Sequence, residues 1–575
     1  MSRKRFSCDF ETTTKLDDCR VWAYGYMEIG NLDNYKIGNS LDEFMQWAME
    51  IQADLYFHNL KFDGAFIINW LFKNGFKWCK EAKEERTFST IISRMGQWYM
   101  IDICLGYKGK RKIHTVIYDS LKKLPFPVEK IAKDFKLTVK KGDIDIHKER
   151  PVGYKITPEE YAYIKNDIQI IAEALLIQFK QGLDRMTAGS DSLKDFKDII
   201  TTKKFKKVFP TLSLGLDKEV RKAYRGGFTW LNDRFKGKEI GEGMVFDVNS
   251  MYPAMMKNKL LPYGEPVMFK GEYKKNVEYP LYIQQVRCFF ELKKDKIPCI
   301  QIKGNARFGQ NEYLSTSGDE YVDLYVTNVD WELIKKHYDI FEEEFIGGFM
   351  FKGFIGFFDE YIDRFMEIKN SPDSSAEQSL QAKLMLNSLY GKFASNPDVT
   401  GKVPYLKENG ALGFRLGEEE TKDPVYTPLA SFVTAWGRYT TITTAQACYD
   451  RIIYCDTDSI HLTGTKIPDV IKDIVHPKKL GYWEHESTFK RAKYLRQKTY
   501  IQDIYMKRVK GYLVQGSPDD YTDIKFSVKC AGMTDKIKEE VTFENFKVGF
   551  SRKMKPKPVQ VPGGVVLVDS VFTIK

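Results

Sequence analysis

The spacing of apolar and polar positions changes several times along the chain, and each change marks an element. Residues 5–12 (RFSCDFET) alternate with a period of two. Phe6, Cys8 and Phe10 take one face and Ser7, Asp9 and Glu11 the other, which predicts a strand aiming two carboxylates at one point. Residues 53–66 (ADLYFHNLKFDGAF) predict a strand with His58 and Asn59 at its end. A turn is expected at Asp63-Gly64, leading into a helix over 66–71. The period lengthens to that of a helix over 157–181. Thr157 and Glu160 form a capping box there, Pro158 takes the first helical position, and Gly182 stops the run. Ile164, Ile168, Ile171 and Leu175 make its buried stripe, while Tyr163 and Asp167 share another face at i and i+4. Residues 186–192 (MTAGSDS) are small and polar and predict a domain boundary.

The second half repeats these signals with different chemistry. A basic helical stretch precedes Tyr224-Arg225-Gly226-Gly227, where paired glycines let a backbone pass close to a ligand. Residues 243–260 predict a strand ending at Asp247, a polar corner at Asn249-Ser250, and a helix led by Tyr252-Pro253, a place suited to phosphate. Residues 358–393 predict two helices broken near 370–375. On the second, Lys383, Asn387 and Tyr390 share one face, and Ala382, Leu386, Leu389 and Phe393 form the apolar stripe. A lysine, an amide and a tyrosine in line suit a nucleoside triphosphate. Residues 403–417 predict a hairpin turning at Asn409-Gly410, and 434–438 (TAWGR) the opening of a further helix. Residues 451–463 (RIIYCDTDSIHLT) predict two short strands meeting at an acidic corner, with Asp456 and Asp458 on one face. Taken alone, that corner reads as a turn. In the β-rich run that follows, Lys498 and Tyr500 are expected to share a strand face, suited to a phosphate and a sugar.

At 575 residues the chain exceeds what one core supports, so several domains are expected. With 43% hydrophobic and 29% charged residues, it has a globular composition. No apolar run reaches membrane-spanning length, and the basic start without an apolar stretch leads one to expect no secretory signal. The nine cysteines are scattered without CxxC spacing and predict free thiols. The net charge of +11 favours a polyanionic partner. Basic clusters at 107–112, 203–207 and 551–558, in a chain with 14% aromatics, narrow that partner to nucleic acid. Carboxylates as close as Asp456 and Asp458 repel unless a cation stands between them, and Mg²⁺ suits one or two carboxylates plus substrate phosphates. Asp9, Glu11, Asp63 and Asp167, with Tyr163, form a second acidic set, whose implied chemistry is phosphodiester hydrolysis.

Assembled, these residues resemble the protein-primed family B DNA polymerases, of the phi-twenty-nine type found in small Bacillus phages. The likeness covers essentially the whole chain. The family's exonuclease motifs match at Asp9-x-Glu11, at Asn59 through Asp63, and at Tyr163-xxx-Asp167. Its polymerase motifs match at Asp247-xx-Ser250-Met251-Tyr252-Pro253, Lys383-xxx-Asn387-Ser388-Leu389-Tyr390-Gly391, Thr434-xx-Gly437-Arg438, Tyr454-x-Asp456-Thr457-Asp458-Ser459 and Lys498-x-Tyr500. The Tyr-x-Gly-Gly motif that coordinates synthesis with editing matches 224–227.

The resemblance implies an α/β and α+β multidomain fold. A ribonuclease-H-like 3′→5′ exonuclease domain is expected over 1–187, joined to a right-hand polymerase. The palm would span 188–260 and 427–530, the fingers 359–394 and the thumb 531–575, with family-specific insertions at 261–358 and 395–426. It implies Asp247, the Val248 carbonyl and Asp458 as metal ligands with Asp456 beside them, and Asp9, Glu11, Asp63 and Asp167 as ligands in the editing site, where Tyr163 orients water. Nucleotide contacts are expected from Tyr252, Lys383, Asn387, Tyr390 and Lys369. DNA contacts are expected from Tyr224, Arg225, Gly226, Gly227, Thr434, Arg438, Lys498, Tyr500, His58, Asn59, Phe62, Ser120 and Leu121. Two Mg²⁺ ions per site are implied, with Mn²⁺ as a substitute. The implied partners are template-primer and single-stranded DNA, dNTPs and a terminal protein as primer, for a monomer in the cytoplasm of an infected bacterium. The chain departs from the pattern at Ile146, where relatives carry a tyrosine that holds single-stranded primer. It departs again at Ser379, where a second phosphate-facing lysine is expected, and in a slightly longer loop at 370–375. The stretch from about 243 to 381 reads as closer to a different phage relative than its flanks do, as in a natural mosaic or an engineered chimera.

Overall fold

The computed structural model describes residues 3–302 and 312–575; residues 303–311, in the first expected insertion, lie outside the described residues. The N-terminal unit is built on an eight-stranded sheet. Its organising strand is Arg5–Thr12, as the alternation predicts. This strand lies inside the sheet, antiparallel to Val21–Glu28 and parallel to Asp54–Phe57. The helix Pro158–Lys180 has the predicted capping box and packs across this part of the sheet. Gly25 allows the contact: a Cβ there would lie 2.8 Å from Ile164. Two details differ from expectation. The helix Leu60–Lys73 begins before Asp63, with Asn59 at φ +72° as its N-cap. Asp63-Gly64 is therefore no turn; Gly64 is required because a Cβ would meet the Trp98 ring at 2.6 Å. Residues 188–192 are likewise not linker but the start of helix Ala188–Ile200, capped by Thr187.

A nine-stranded antiparallel sheet centres the second unit. Gly243–Val248 lies between Ser459–Thr463 and Trp483–Arg496. Next to Ser459–Thr463 comes Ile452–Asp456, which pairs in turn with Thr229–Leu231. Helix Thr427–Ala447 packs beneath these strands, and residues 434–438 lie in its middle rather than at its start. Pro428 in its first turn marks the true beginning. A separate four-stranded sheet fills much of 261–354, with helix Asn328–His337 against it. Helices Asp359–Asn370 and Ala376–Phe393 follow, broken where predicted. Ser375 and Gln378 give the second a capping box. All nine cysteines are free thiols. Among the described residues no helix is long and apolar enough to cross a membrane.

The expected hairpin forms from Lys402–Leu406 and Leu412–Leu416. Its turn is displaced by one residue from the predicted pair: Gly410 donates its N–H back to Lys407 O, so Glu408 and Asn409 are central and Gly410, at φ +77°, follows them. Leu412 is 1% exposed and belongs to the N-terminal core. The C-terminal hairpin Ser551–Val561/Gly564–Thr573 reaches the same place. Its tip bridges Ala411 through Pro562, and Gly564 lies flat on Phe66. Besides the linker near residue 185, the two units are thus joined by these two hairpin tips. A Cβ at Gly564 would lie 2.3 Å from Phe66 Cε1. Gly564→Ala should therefore cost roughly 1–3 kcal/mol through overpacking and raise amide exchange around residues 563–566, readable by exchange mass spectrometry.

Candidate active sites

The acidic corner of the second unit is assembled from three strands and a strained turn. Asp247, near the end of Gly243–Val248, faces Ser459 on one neighbour and Glu484 on the other. The next residue, Val248, donates its N–H to Asp458 O at 2.8 Å. Thr457 has φ +58°, an uncommon conformation for a β-branched residue. Its surroundings hold it there. Its N–H donates to Phe228 O at 2.6 Å, its carbonyl accepts from Thr441 Oγ1 at 2.7 Å, and a Cβ on Gly227 would lie 2.6 Å from its Cγ2. Asp456 and Asp458 therefore do not alternate along one strand, as the sequence predicts, but diverge across this turn. Asp456 accepts from Thr229 Oγ1 and Tyr454 OH, both at 3.1 Å, and pairs with Lys498 Nζ at 3.0 Å. Asp458 is left beside Asp247. Lys498 is not in the strand with Tyr500 either: it sits at φ +57° before Thr499–Val509, its N–H bound to Tyr454 OH at 2.9 Å. Tyr500 packs on Tyr494 and Tyr454.

Burial, then Asp458, then Glu486 and Glu484 push the Asp247 carboxyl up to about 8, against the pull of Lys383. Asp458 is raised too, chiefly by burial. Glu484 and Glu486 are absent from the sequence-derived set. The signal for them is two acids in a strand following the corner; their closeness to Asp247 comes only from cross-strand register. Lys369 donates to Ser250 Oγ at 2.9 Å, and burial, then Lys383, lowers its pKa. Two lysines thus stand over the acidic pair. Lys383 and Asn387 are exposed and Tyr390 half-buried on the predicted open face. Tyr390 lies 4.2 Å, ring to ring, from Tyr252. Gly437 supports Tyr252 from behind, since a Cβ would lie 3.2 Å from its ring.

The loop 224–227 is held by Arg438, which donates to Arg225 O and Gly226 O, both at 2.8 Å, and forms a two-oxygen ion pair with Asp330. Arg438 is 6% exposed and Thr434 1%. Thr434 Oγ1 bonds Ala430 O. The structure engages both side chains inside the fold: Thr434 bonds within its own helix, and Arg438 reaches any DNA only through the loop it supports. Tyr224 is partly buried against the core of the second unit.

The second acidic set surrounds a cavity of about 250 Å³ in the N-terminal unit. It gathers Asp9, Glu11, Asp63, Asp167 and Tyr163 with His58, Asn59 and Phe62. Burial, then Asp167, pushes Asp9 up to about 7, and Glu11 and Asp63 are raised well above the carboxylate range by burial and then Asp9. Lys141, which the sequence did not single out, reaches in from an irregular loop and bonds Asp167 Oδ2. Its only signal is a lysine pair before Gly142. Among the described residues Asp167 Oδ1 is buried with no hydrogen-bond partner. Ser120 and Leu121 stand outside the cavity's lining, tied to it through His58, whose Nδ1 lies 3.0 Å from Ser120 Oγ. Asp119 fixes this segment by accepting from the N–H groups of Asn59 and Leu121. Ile146 is exposed.

Among the described residues no three His, Cys, Asp or Glu side chains are drawn close enough to hold a metal ion by themselves. The donor sets still fit one taken up together with phosphates. They are all oxygen, mutually repulsive, and in Asp167 include an unpartnered buried atom.

Comparison with known proteins identifies the kind of chain that holds two carboxylate clusters in this way, one of them beneath a lysine-bearing helix. The profile of DNA polymerase type B, organellar and viral, matches residues 45–477, and the chain belongs to this family of DNA polymerases. The DNA polymerase of Bacillus phage phi29 is 79% identical over 575 residues, covering 100% of both chains. Phi29 DNA polymerase complexed with primer-template DNA and incoming nucleotide substrates superimposes with a TM-score of 0.96 at 78% identity and 100% coverage of both chains. The same protein complexed with single-stranded DNA gives 0.96 at 78%, again with full coverage.

In metal-free buffer, the folded Asp247 keeps its proton to about pH 8, against 3.8 without the fold. The folded state then binds more protons than the unfolded one across that window, so stability falls as pH rises from about 4 to about 8. Asp247→Asn should raise Tm little at pH 5 and by a few degrees at pH 8.5, of the order of 1 kcal/mol after allowing for solvent. Calorimetry in chelator across that range measures it.

Proposed function

We propose that this DNA polymerase extends a primer at the Asp247–Asp458 corner and removes nucleotides from a 3′ end at the N-terminal cavity. The observation that carries the first half is the convergence of Asp247 and Asp458 beneath Lys369 and Lys383. Asp247, the Val248 carbonyl and Asp458 would hold divalent cations in one site, and Asp9, Glu11, Asp63 and Asp167 in the other. When bound, two Mg²⁺ ions, or Mn²⁺ in their place, neutralise charge on the attacking and leaving oxygens of phosphoryl transfer. The chain's own residues do the rest. Lys383 and Lys369 offset the triphosphate charge, with Asn387 on the same face. Tyr252, wedged between Tyr390 and Gly437, lies flat where a sugar would rest and excludes a 2′-OH. Lys498, with Asp456 and Tyr500, steadies the primer terminus. In the editing site Tyr163 orients water against the scissile phosphate, Lys141 balances Asp167, and His58, Asn59, Phe62, Ser120 and Leu121 seat the frayed strand.

The complexes of the phi29 enzyme with single-stranded DNA, primer-template and nucleotides support this reading of partners. In the same reading the N-terminal unit is a ribonuclease-H-like exonuclease, and the second unit is a right hand of palm, fingers and thumb. The insertions near 261–358 and 395–426 serve strand displacement and priming by a terminal protein, in a monomer working in the cytoplasm of an infected bacterium.

Primer extension on a primed circle with dNTPs and Mg²⁺ tests the whole. Asp458→Ala should lower extension by about 10²-fold or more while leaving degradation; undiminished extension would remove Asp458 from the site. Asp9→Ala with Asp63→Ala should do the reverse, and loss of both activities together would refute separate sites. Tyr252→Val should admit ribonucleotides, and unchanged discrimination in a competition assay rules out its gating role.

A further inference from the structure

Between the two acidic sites lies a buried ion pair that the chemistry of neither site uses. Lys123 Nζ and Asp191 Oδ2 are 2.7 Å apart, and each side chain is 3% exposed. The partners belong to different units. Lys123 follows the short turn Ser120–Lys122 at the His58 end of the N-terminal cavity. Asp191 sits in the first turn of helix Ala188–Ile200. The linker between the units is drawn into the same contact. Lys123 Nζ donates to Arg185 O at 2.8 Å, and the Arg185 N–H donates to Asp191 Oδ1 at 2.8 Å.

Helix Ala188–Ile200 is in turn the bed of helix Ala376–Phe393, which carries Lys383, Asn387 and Tyr390. Ser192 Oγ donates to Met385 O at 3.3 Å and Lys392 Nζ to Ser190 Oγ at 3.1 Å. Gly189 brings the backbones close, since a Cβ there would lie 2.9 Å from Lys392 Cδ. The pair therefore stands midway on a short, fully bonded path from the strand seat of one site to the nucleotide helix of the other. Stability alone does not account for it. Two apolar side chains of like size would join the units at least as well, because burying both charges offsets most of their attraction. What the ion pair adds is direction: three charge-assisted bonds admit one relative placement.

We infer that Lys123 and Asp191 are a positioning pair, setting the seat at residues 120–121 relative to the nucleotide-binding helix and so governing passage of a primer end from one site to the other. The inference rests on the two-site reading above.

The variant that tests it is Lys123→Met together with Asp191→Leu, which avoids leaving either charge buried and unpaired. Three rates are measured on the full chain with Mg²⁺: excision from a single-stranded oligonucleotide, extension of a matched primer at saturating dNTPs, and excision of a mismatched 3′ end from a primer-template duplex. The first two should stay within about twofold of the parent and the third should fall by about fivefold or more, since small misplacements in transfer geometry cost rate steeply. Mismatch excision equal to the parent's overturns the inference. So does a parallel fall of all three rates with a lowered Tm, which assigns the pair to structure alone. If the parent itself does not degrade single-stranded DNA, the reading of the N-terminal cavity fails, and the inference falls with it.

Discussion

Repulsion between buried carboxylates is the constraint around which this molecule is arranged. Asp247 is held beside Asp458 although that neighbour disfavours its charge, and Asp9, Glu11, Asp63 and Asp167 line one cavity, where Asp9 and Glu11 are likewise raised by neighbouring carboxylates. Side chains alone would relax apart. The backbone prevents it at the first site: the Val248 N–H bond to Asp458 O and the pinned left-handed Thr457 fix the two strand ends. Strain of this kind persists where neighbours over-determine it, and it accumulates at functional positions. Gly227 and Phe228 supply that over-determination from one loop and Thr441 from helix Thr427–Ala447.

The two sites answer the same electrostatic problem differently. In the N-terminal cavity a lysine enters the acidic cluster itself and bonds Asp167. At the corner in the second unit the cations stay around the rim. Lys498 takes Asp456 out of the cluster, while Lys369 and Lys383 face Asp247 from the helices above. Asp456 and Asp458, so alike in sequence, thus meet different surroundings: one is paired with a lysine, the other stands beside a second carboxylate.

Much of this was legible in the sequence where the signal is local. The alternation at 5–12, the Thr157/Glu160 box and the break at 370–375 each depend on neighbours a few residues away, and each element formed as read. The errors share a cause as well. Asp63-Gly64 looks like a turn, but Gly64 answers to Trp98, thirty-odd residues on. The helix through 434–438 starts at Thr427 because its first turns are buried on all sides and carry no amphipathic edge. Asp456 and Asp458 fail to alternate because Thr457 is held by tertiary bonds. Lys141, Asp119, Glu484 and Glu486 join the sites through register and loop course, which no local pattern encodes.

The junction at the hairpin tips has a consequence of a different kind. Where the hairpin tips at Ala411 and Pro562 meet helix Leu60–Lys73, the chain completes a circuit of contacts on itself. The contacts that close it, such as Gly564 on Phe66 and Leu412 in the N-terminal core, are apolar. Grip through phosphate contacts weakens as salt rises, because released counterions no longer favour binding. Apolar closure does not share that dependence, so the junction between the units and any grip on phosphates respond differently to salt.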